Sequence, residues 1–168
     1  MVAAPINQHG TVVRLACPTS GKPRGVLITG PSGIGKSTLA LSLLEQYGAQ
    51  LVADDQVLLT TRWGNEIWSD CPANISGLLE VRGVGLVPYP ALEKPQRVDL
   101  VVALTPALKT ARLPEPCWIE LLGTNVPAIS LLSQAPMLAN RVVAGLRLLA
   151  EGHWSTLSPK TKAAAVLE

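Results

Sequence analysis

The chain has 168 residues, 48% of them hydrophobic and only 15% charged, so it can bury a core and long disorder is not expected. Its net charge of +2 argues against a dedicated nucleic-acid binder. The three cysteines are widely spaced, with no CxxC pair and no histidine cluster, and no apolar run approaches the length of a membrane span. We therefore expect a cytoplasmic protein whose thiols stay reduced.

The first half of the chain alternates short apolar runs with turn residues. Apolar residues at helical spacing predict a helix over residues 36–47, which Gly48 would end. The predicted strands are residues 11–16, 25–29 and 50–53, with 57–62 and 66–68 forming a hairpin around Gly64 and Asn65.

The second half of the chain contains three further predicted elements. A buried strand is predicted over residues 98–104, a short strand over 118–122 and a helix over 135–150. There are no internal repeats and no linker, so residues 1–168 are expected to form one α/β domain.

A phosphate-binding loop follows the second predicted strand. Residues 30–37 match the P-loop pattern G-x-x-x-x-G-K-[ST] and lie between a predicted strand and a predicted helix, as the pattern requires. Glycines let the backbone curl around phosphates, the lysine supplies a positive charge, and the serine hydroxyl reaches a magnesium ion. The predicted nucleotide-binding residues are Gly30, Pro31, Ser32, Gly33, Ile34, Gly35, Lys36 and Ser37.

Two carboxylates, Asp54 and Asp55, end the apolar run over residues 50–53. Adjacent residues on an extended strand point to opposite faces, so both could reach one site only if the strand has already ended. One could then accept a proton from an attacking hydroxyl while the other faces a metal. The simpler alternative is that both are solvated caps of the strand.

Glu80 and Arg82 interrupt an otherwise apolar segment, residues 78–86. Two residues apart, they are expected to share one face of a strand. Burying two charges costs several kcal/mol unless they are paired or bind an ion. Magnesium and phosphates could supply those partners, whereas a plain structural salt bridge is the alternative.

Taken together, these motifs resemble HPr kinase/phosphorylase, a bifunctional protein-serine kinase family of bacterial carbohydrate and nitrogen regulation. The matching segments, in order, are His9-Gly10 and residues 30–37, 51–55, 79–85 and 98–102. They cover the family's catalytic domain without its usual N-terminal domain, as in the short proteobacterial forms. The resemblance implies a nucleotide-binding fold related to phosphoenolpyruvate carboxykinase, with ATP and Mg²⁺ as cofactors, an HPr-like phosphocarrier as partner, and a hexamer.

The resemblance also implies a role for each matching residue. The implied catalytic residues are His9, Lys36, Asp54 as proton acceptor in the kinase direction, and Arg112; the implied metal ligands are Ser37 and Glu80. Asp55 is added as a candidate metal residue because it adjoins Asp54, not because of the resemblance. An Asp54→Asn variant is accordingly expected to bind nucleotide but not to transfer phosphate. Without the resemblance, His9 would be interpreted as an ordinary surface histidine.

One segment departs from the family pattern. The family commonly carries an arginine- and glycine-containing loop before its C-terminal helix, associated with phosphorolysis, whereas residues 133–139 contain neither residue type. We therefore expect kinase activity with weak or lost phosphorolysis. The competing hypotheses are a P-loop kinase or NTPase with a small-molecule acceptor, and an ATP-sensing regulatory module without catalysis.

Overall fold

The computed structural model describes residues 4–92, 94–107 and 113–155. Within these residues the chain forms eleven strands and two α-helices. The strands are β1 (Ile6–His9), β2 (Thr11–Ala16), β3 (Pro23–Thr29), β4 (Gln50–Ala53), β5 (Gln56–Arg62), β6 (Glu66–Asp70), β7 (Leu78–Val81), β8 (Gly85–Pro88), β9 (Gln96–Thr105), β10 (Cys117–Leu121) and β11 (Thr124–Leu132). The helices are α1 (Lys36–Tyr47) and α2 (Leu138–Ala150).

The long strand β9 joins two sheet layers. One layer runs β4-β2-β3-β9-β11-β10, with β3 and β11 both parallel to β9. The other layer runs β1-β5-β6 and is attached where β6 pairs with the first residues of β9. A separate two-stranded hairpin, β7-β8, lies outside both layers.

The central layer is covered on both faces, which explains why its strands read as continuous apolar runs. On β3, Val26 and Ile28 belong to the core shared with the helices, whereas Leu27 between them belongs to the core shared with β5 and β6. Residues 100–104 of β9 alternate in the same way. The P-loop helix is therefore held on one face of the sheet by buried side chains such as Leu39 and Leu43.

Most predicted elements are confirmed. Helix α1 and strands β2 and β4 have the predicted bounds, and the hairpin of β5 and β6 turns at Gly64 as expected. Helix α2 begins three residues later than predicted, at Leu138, because Met137 adopts a left-handed conformation with φ 57°. Strands β1, β8 and β11 were not predicted. No described helix is long and apolar enough to span a membrane.

Candidate active site

The loop between β3 and α1 has the geometry of a phosphate-binding turn. Gly30 takes φ 143°, and a Cβ there would lie 2.7 Å from the carbonyl oxygen of Leu104, so only glycine fits. Gly35 precedes α1 with φ 112°, and no side-chain hydrogen bond caps the helix. The first N–H groups of α1 therefore have no side-chain acceptor, and an anion bound at the helix N-terminus would accept hydrogen bonds from them.

Lys36 is buried inside this turn, with 6% of the residue exposed. Its Nζ donates hydrogen bonds to the carbonyl oxygens of Gly30, at 2.9 Å, and Pro31, at 3.0 Å. Burial lowers the pKa of Lys36, and the nearby charges of Asp54 and Asp55 partly oppose that shift. The hydrogen-bond acceptors of the ammonium are thus neutral carbonyl groups. A negatively charged phosphate group would attract the ammonium more strongly than these carbonyls do.

Asp54 connects four elements of the structure. It follows β4 and is only 6% exposed. Its Oδ1 accepts hydrogen bonds from the hydroxyls of Thr11, at 2.8 Å, and Ser37, at 2.9 Å, and its Oδ2 accepts one from the N–H of Glu80, at 3.1 Å. Both carboxylate oxygens therefore already have donors from the protein.

Asp55 has a different environment. Strand β4 ends at Ala53, and Asp55 takes a left-handed φ of 67°, so its side chain opens into the same cleft as Asp54. Its carboxylate is 64% exposed, and His9 Nδ1 lies 3.1 Å from Oδ1, an ion pair when the imidazole is protonated. His9 Nδ1 is also 3.1 Å from the Asp55 carbonyl oxygen. The strand has thus ended early enough for both carboxylates to reach one site.

Glu80 and Arg82 are not buried as predicted. Strand β7 ends at Val81, Arg82 lies in the following turn, and both charged residues are exposed. The apolar pattern of residues 78–86 suggested burial of the whole segment, but only Leu79 is fully buried there. The opposite face of the β7-β8 hairpin is exposed to solvent. The expected desolvation cost is therefore wrong, yet both side chains still line the cleft.

The structure brings together most of the predicted site. The predicted residues that line the cleft are His9, Ser32, Gly33, Gly35, Lys36, Ser37, Asp54, Asp55 and Glu80. Gly30 and Pro31 contribute carbonyls to Lys36, and Ile34 packs against the core. Arg112 lies outside the described residues. Thr11 was missed because only the pairing of β2 with β4 brings it to Asp54, 43 positions away.

The donor atoms of the cleft suit a hard cation. Among the described residues, no group of three His, Cys, Asp or Glu side chains is arranged to hold a metal. The Ser37 hydroxyl and the carboxylates of Asp54, Asp55 and Glu80 nevertheless line one cleft. Magnesium prefers oxygen ligands and commonly uses one or two carboxylates together with substrate phosphates, so the residues present fit this ion.

Comparison with known proteins identifies similar sequences. Residues 2–131 match the family model described as HPr Serine kinase C-terminal domain. The chain is 40% identical to an HPr kinase/phosphorylase of Bordetella avium (strain 197N) over 117 residues, which are 64% of this chain and 38% of that protein. It is 52% identical to one of Clostridium tetani (strain Massachusetts / E88) over 68 residues, 40% of this chain and 22% of that protein.

A solved structure has a fold similar to that of this chain. The HPr(Ser) kinase/phosphatase from Coxiella burnetii superposes with a TM-score of 0.71 at 28% identity, covering 90% of this chain and 96% of that one. The curated relatives described above are longer, and the chain spans at most about two fifths of their length. The chain belongs to the HPr serine kinase C-terminal domain family.

Proposed function

We propose that this chain transfers the γ-phosphoryl group of ATP to a serine hydroxyl of an HPr-like phosphocarrier protein. The observation that carries the proposal is the single cleft in which Lys36 and Ser37 of the P-loop lie beside Asp54 and Asp55. We take HPr as the acceptor of the phosphoryl group from the names of the relatives, because a P-loop alone does not specify an acceptor.

The phosphate-binding part of the reaction follows from the loop. The N–H groups at the start of α1 would bind the phosphates, and the Lys36 ammonium would leave its carbonyl partners to neutralise their charge. Ser37, oriented by its hydrogen bond to Asp54, and Glu80 beside it would hold Mg²⁺. When bound, Mg²⁺ neutralises charge on the phosphate oxygens.

The geometry favours Asp55, rather than Asp54, as the proton acceptor. Asp54 is almost fully buried and already accepts three hydrogen bonds, so it has little capacity to accept a further proton donor. Asp55 is exposed in the cleft, and His9 contacts both its carboxylate and its carbonyl group. We therefore exchange the two roles implied by the resemblance: Asp54 orients the metal-binding serine, and Asp55 accepts the proton.

The proposed reaction is a direct transfer of the γ-phosphoryl group to serine, with Asp55 as the proton acceptor. The serine oxygen forms a bond to the γ-phosphorus, the bond from that phosphorus to the β–γ bridging oxygen breaks, and ADP leaves. The serine proton passes to the Asp55 carboxylate. In phosphorolysis the same carboxylic acid would return the proton to the serine oxygen as inorganic phosphate attacks.

We also propose that the chain catalyses phosphorolysis only weakly. Residues 133–137 form the short connection between β11 and α2, and this connection lacks the arginine and glycine common in the family. Inorganic phosphate would therefore lack a cationic partner from this segment.

The test is to incubate the full chain with ATP, Mg²⁺ and purified HPr and to search for phosphoserine by mass spectrometry. A phosphoserine that is absent from reactions with Lys36→Met supports the proposal. ADP formation without phospho-HPr would instead support a small-molecule acceptor or NTPase activity, and ATP binding without turnover would support a sensing module. Light scattering on the same sample tests the expected hexamer.

A further inference from the structure

Thr11 is the first residue of β2 and lies at the base of the phosphate cleft. It lines that cleft with no exposed surface of its own, and its hydroxyl donates a 2.8 Å hydrogen bond to Oδ1 of Asp54. The antiparallel register that pairs Val12 of β2 with Ala53 of β4 continues one step further and sets Thr11 opposite Asp54. Strand pairing therefore imposes this contact.

The Asp54 carboxylate contacts both residues to which the proposed function assigns Mg²⁺. Its Oδ1 accepts a hydrogen bond from the Ser37 hydroxyl at 2.9 Å, and its Oδ2 accepts one from the backbone N–H of Glu80 at 3.1 Å. Of the three donors described for this carboxylate, only Thr11 is not itself an assigned metal ligand. A rotation of the carboxylate would disturb both other contacts, and the Thr11 hydroxyl opposes such a rotation from the side of the sheet.

The direction of these hydrogen bonds matters for a cation. An ionised carboxylate only accepts hydrogen bonds, so the hydroxyls of Thr11 and Ser37 both donate to it. The Ser37 oxygen then keeps its lone pairs free for a hard cation. Because Thr11 has no exposed surface, water has no access to replace its hydroxyl if that group is removed.

We propose that Thr11 is a positioning residue of the magnesium site. Through Asp54 it fixes the orientation of the Ser37 hydroxyl and the place of Glu80. The inference rests on the proposed function, since it requires Mg²⁺ to bind Ser37 and Glu80. Replacing a residue that orients metal ligands lowers metal affinity by roughly 10–100-fold in other proteins.

Three substitutions separate the hydroxyl from the rest of the side chain. Thr11→Val replaces the hydroxyl by a methyl group and keeps the branched shape that suits a strand, whereas Thr11→Ser keeps the hydroxyl. The matched control is Thr29→Val. Thr29 is also buried, at 3% exposure, and directly precedes Gly30, but its hydroxyl has no hydrogen-bond partner among the described residues.

The Thr11 variants should still fold. The Gly10 N–H still donates to the Asp55 carbonyl oxygen, at 3.2 Å, and Val12 still pairs with Ala53. Urea denaturation without Mg²⁺ verifies the fold of each variant. Thr11→Ala, which also lacks the hydroxyl, takes the place of Thr11→Val if that variant is unfolded.

The experiment measures ATP binding to the full chain by isothermal titration calorimetry, once with excess Mg²⁺ and once with EDTA. Thr11→Val should weaken the binding of Mg-ATP about tenfold and leave the binding of metal-free ATP unchanged. Thr11→Ser should restore the affinity for Mg-ATP, and Thr29→Val should match the unaltered chain under both conditions.

Three results would overturn the inference. They are equal Mg-ATP affinities of Thr11→Val and Thr29→Val, an equal loss by Thr11→Val with and without Mg²⁺, and a loss by Thr11→Ser as large as that by Thr11→Val. In each of these cases the unaltered chain still binds Mg-ATP, so the proposed function stands. If the unaltered chain does not bind Mg-ATP, the proposed function fails and the role of Thr11 fails with it.

Discussion

The Ser37 hydroxyl donates a 2.9 Å hydrogen bond to Oδ1 of Asp54, 17 residues further along the chain. The same oxygen accepts the Thr11 hydroxyl, so the P-loop serine, β2 and the end of β4 meet at one atom. This atom fixes the position of the proposed magnesium site relative to the sheet. It also gives Asp54 an environment unlike that of Asp55, for which the described hydrogen bonds include none to the P-loop serine.

The first prediction concerns stability. Asp54→Ala should lower the free energy of unfolding by about 1–3 kcal/mol, because the buried Thr11 hydroxyl and the Glu80 N–H lose their acceptor. Asp55→Asn should change it by no more than about 0.5 kcal/mol, since that side chain is exposed and asparagine tolerates the left-handed conformation. Urea denaturation measures both, and an equal loss in the two variants would contradict the assigned difference in environment.

The second prediction concerns the proton acceptor. Asp55→Asn should lower kcat for HPr phosphorylation by about 10²–10⁴-fold, the usual contribution of a general base, without changing ATP affinity. Asp54→Asn should weaken Mg²⁺-dependent ATP binding, because it alters the partner of Ser37. Calorimetry and a phosphorylation assay on both variants decide the matter. Wild-type turnover by Asp55→Asn, with normal binding but no turnover by Asp54→Asn, would restore the assignment implied by the family resemblance.

The third prediction concerns the shape of the P-loop. Gly30→Ala should weaken ATP binding at least about tenfold, because its Cβ would lie 2.7 Å from the Leu104 carbonyl oxygen and force the loop to shift. Gly48→Ala is the matched control: it also has a positive φ, of 63°, but nothing lies within 4 Å of the added Cβ. The control should lose about 1–2 kcal/mol of stability at unchanged affinity. The measurement is calorimetric titration with ATP. Equal ATP affinities of the two variants would show that the predicted clash at Gly30 does not affect binding.

The fourth prediction concerns pH. Because burial lowers the pKa of Lys36 below the ordinary 10.5, the amine of the nucleotide-free chain loses its proton earlier than an exposed lysine does. ATP affinity should therefore be full below that lowered pKa and fall as pH rises through it, with ATP binding then accompanied by proton uptake. Titrations in buffers of different ionisation enthalpy detect the proton.

The matched variant is Lys36→Arg, which keeps its charge over the same pH range. Any ATP binding that it retains should show no such proton uptake. Identical uptake by the variant and the unaltered chain would show that another group titrates.

The fifth prediction concerns the reverse reaction. Serine-phosphorylated HPr incubated with the chain and inorganic phosphate should release little pyrophosphate, because residues 133–137 supply no arginine. The forward reaction under the same conditions is the control for active protein. Brisk pyrophosphate release would show that phosphorolysis does not need the family's usual loop.

Local signals were enough for the P-loop and its helix. The glycine spacing of residues 30–37, the preceding apolar strand and the leucine spacing of α1 are short-range features, and α1 has the predicted bounds. Strand β11 escaped prediction because it contains Pro127, which lacks an N–H. Pairing of β11 with the central strand β9 begins only at Ala128, whereas Pro127 itself is in register with Trp118 of β10.

The sequence by itself determined the family motifs, the predicted nucleotide-binding loop and the set of polar residues from which a site could be built. Only the tertiary structure decided where those residues lie relative to one another. Thr11 reaches Asp54 through strand pairing, Asp55 turns into the cleft through a left-handed backbone, and Glu80 stays exposed because its hairpin covers the core on one face. These relationships depend on contacts between distant segments and on single backbone angles, neither of which has a local sequence period.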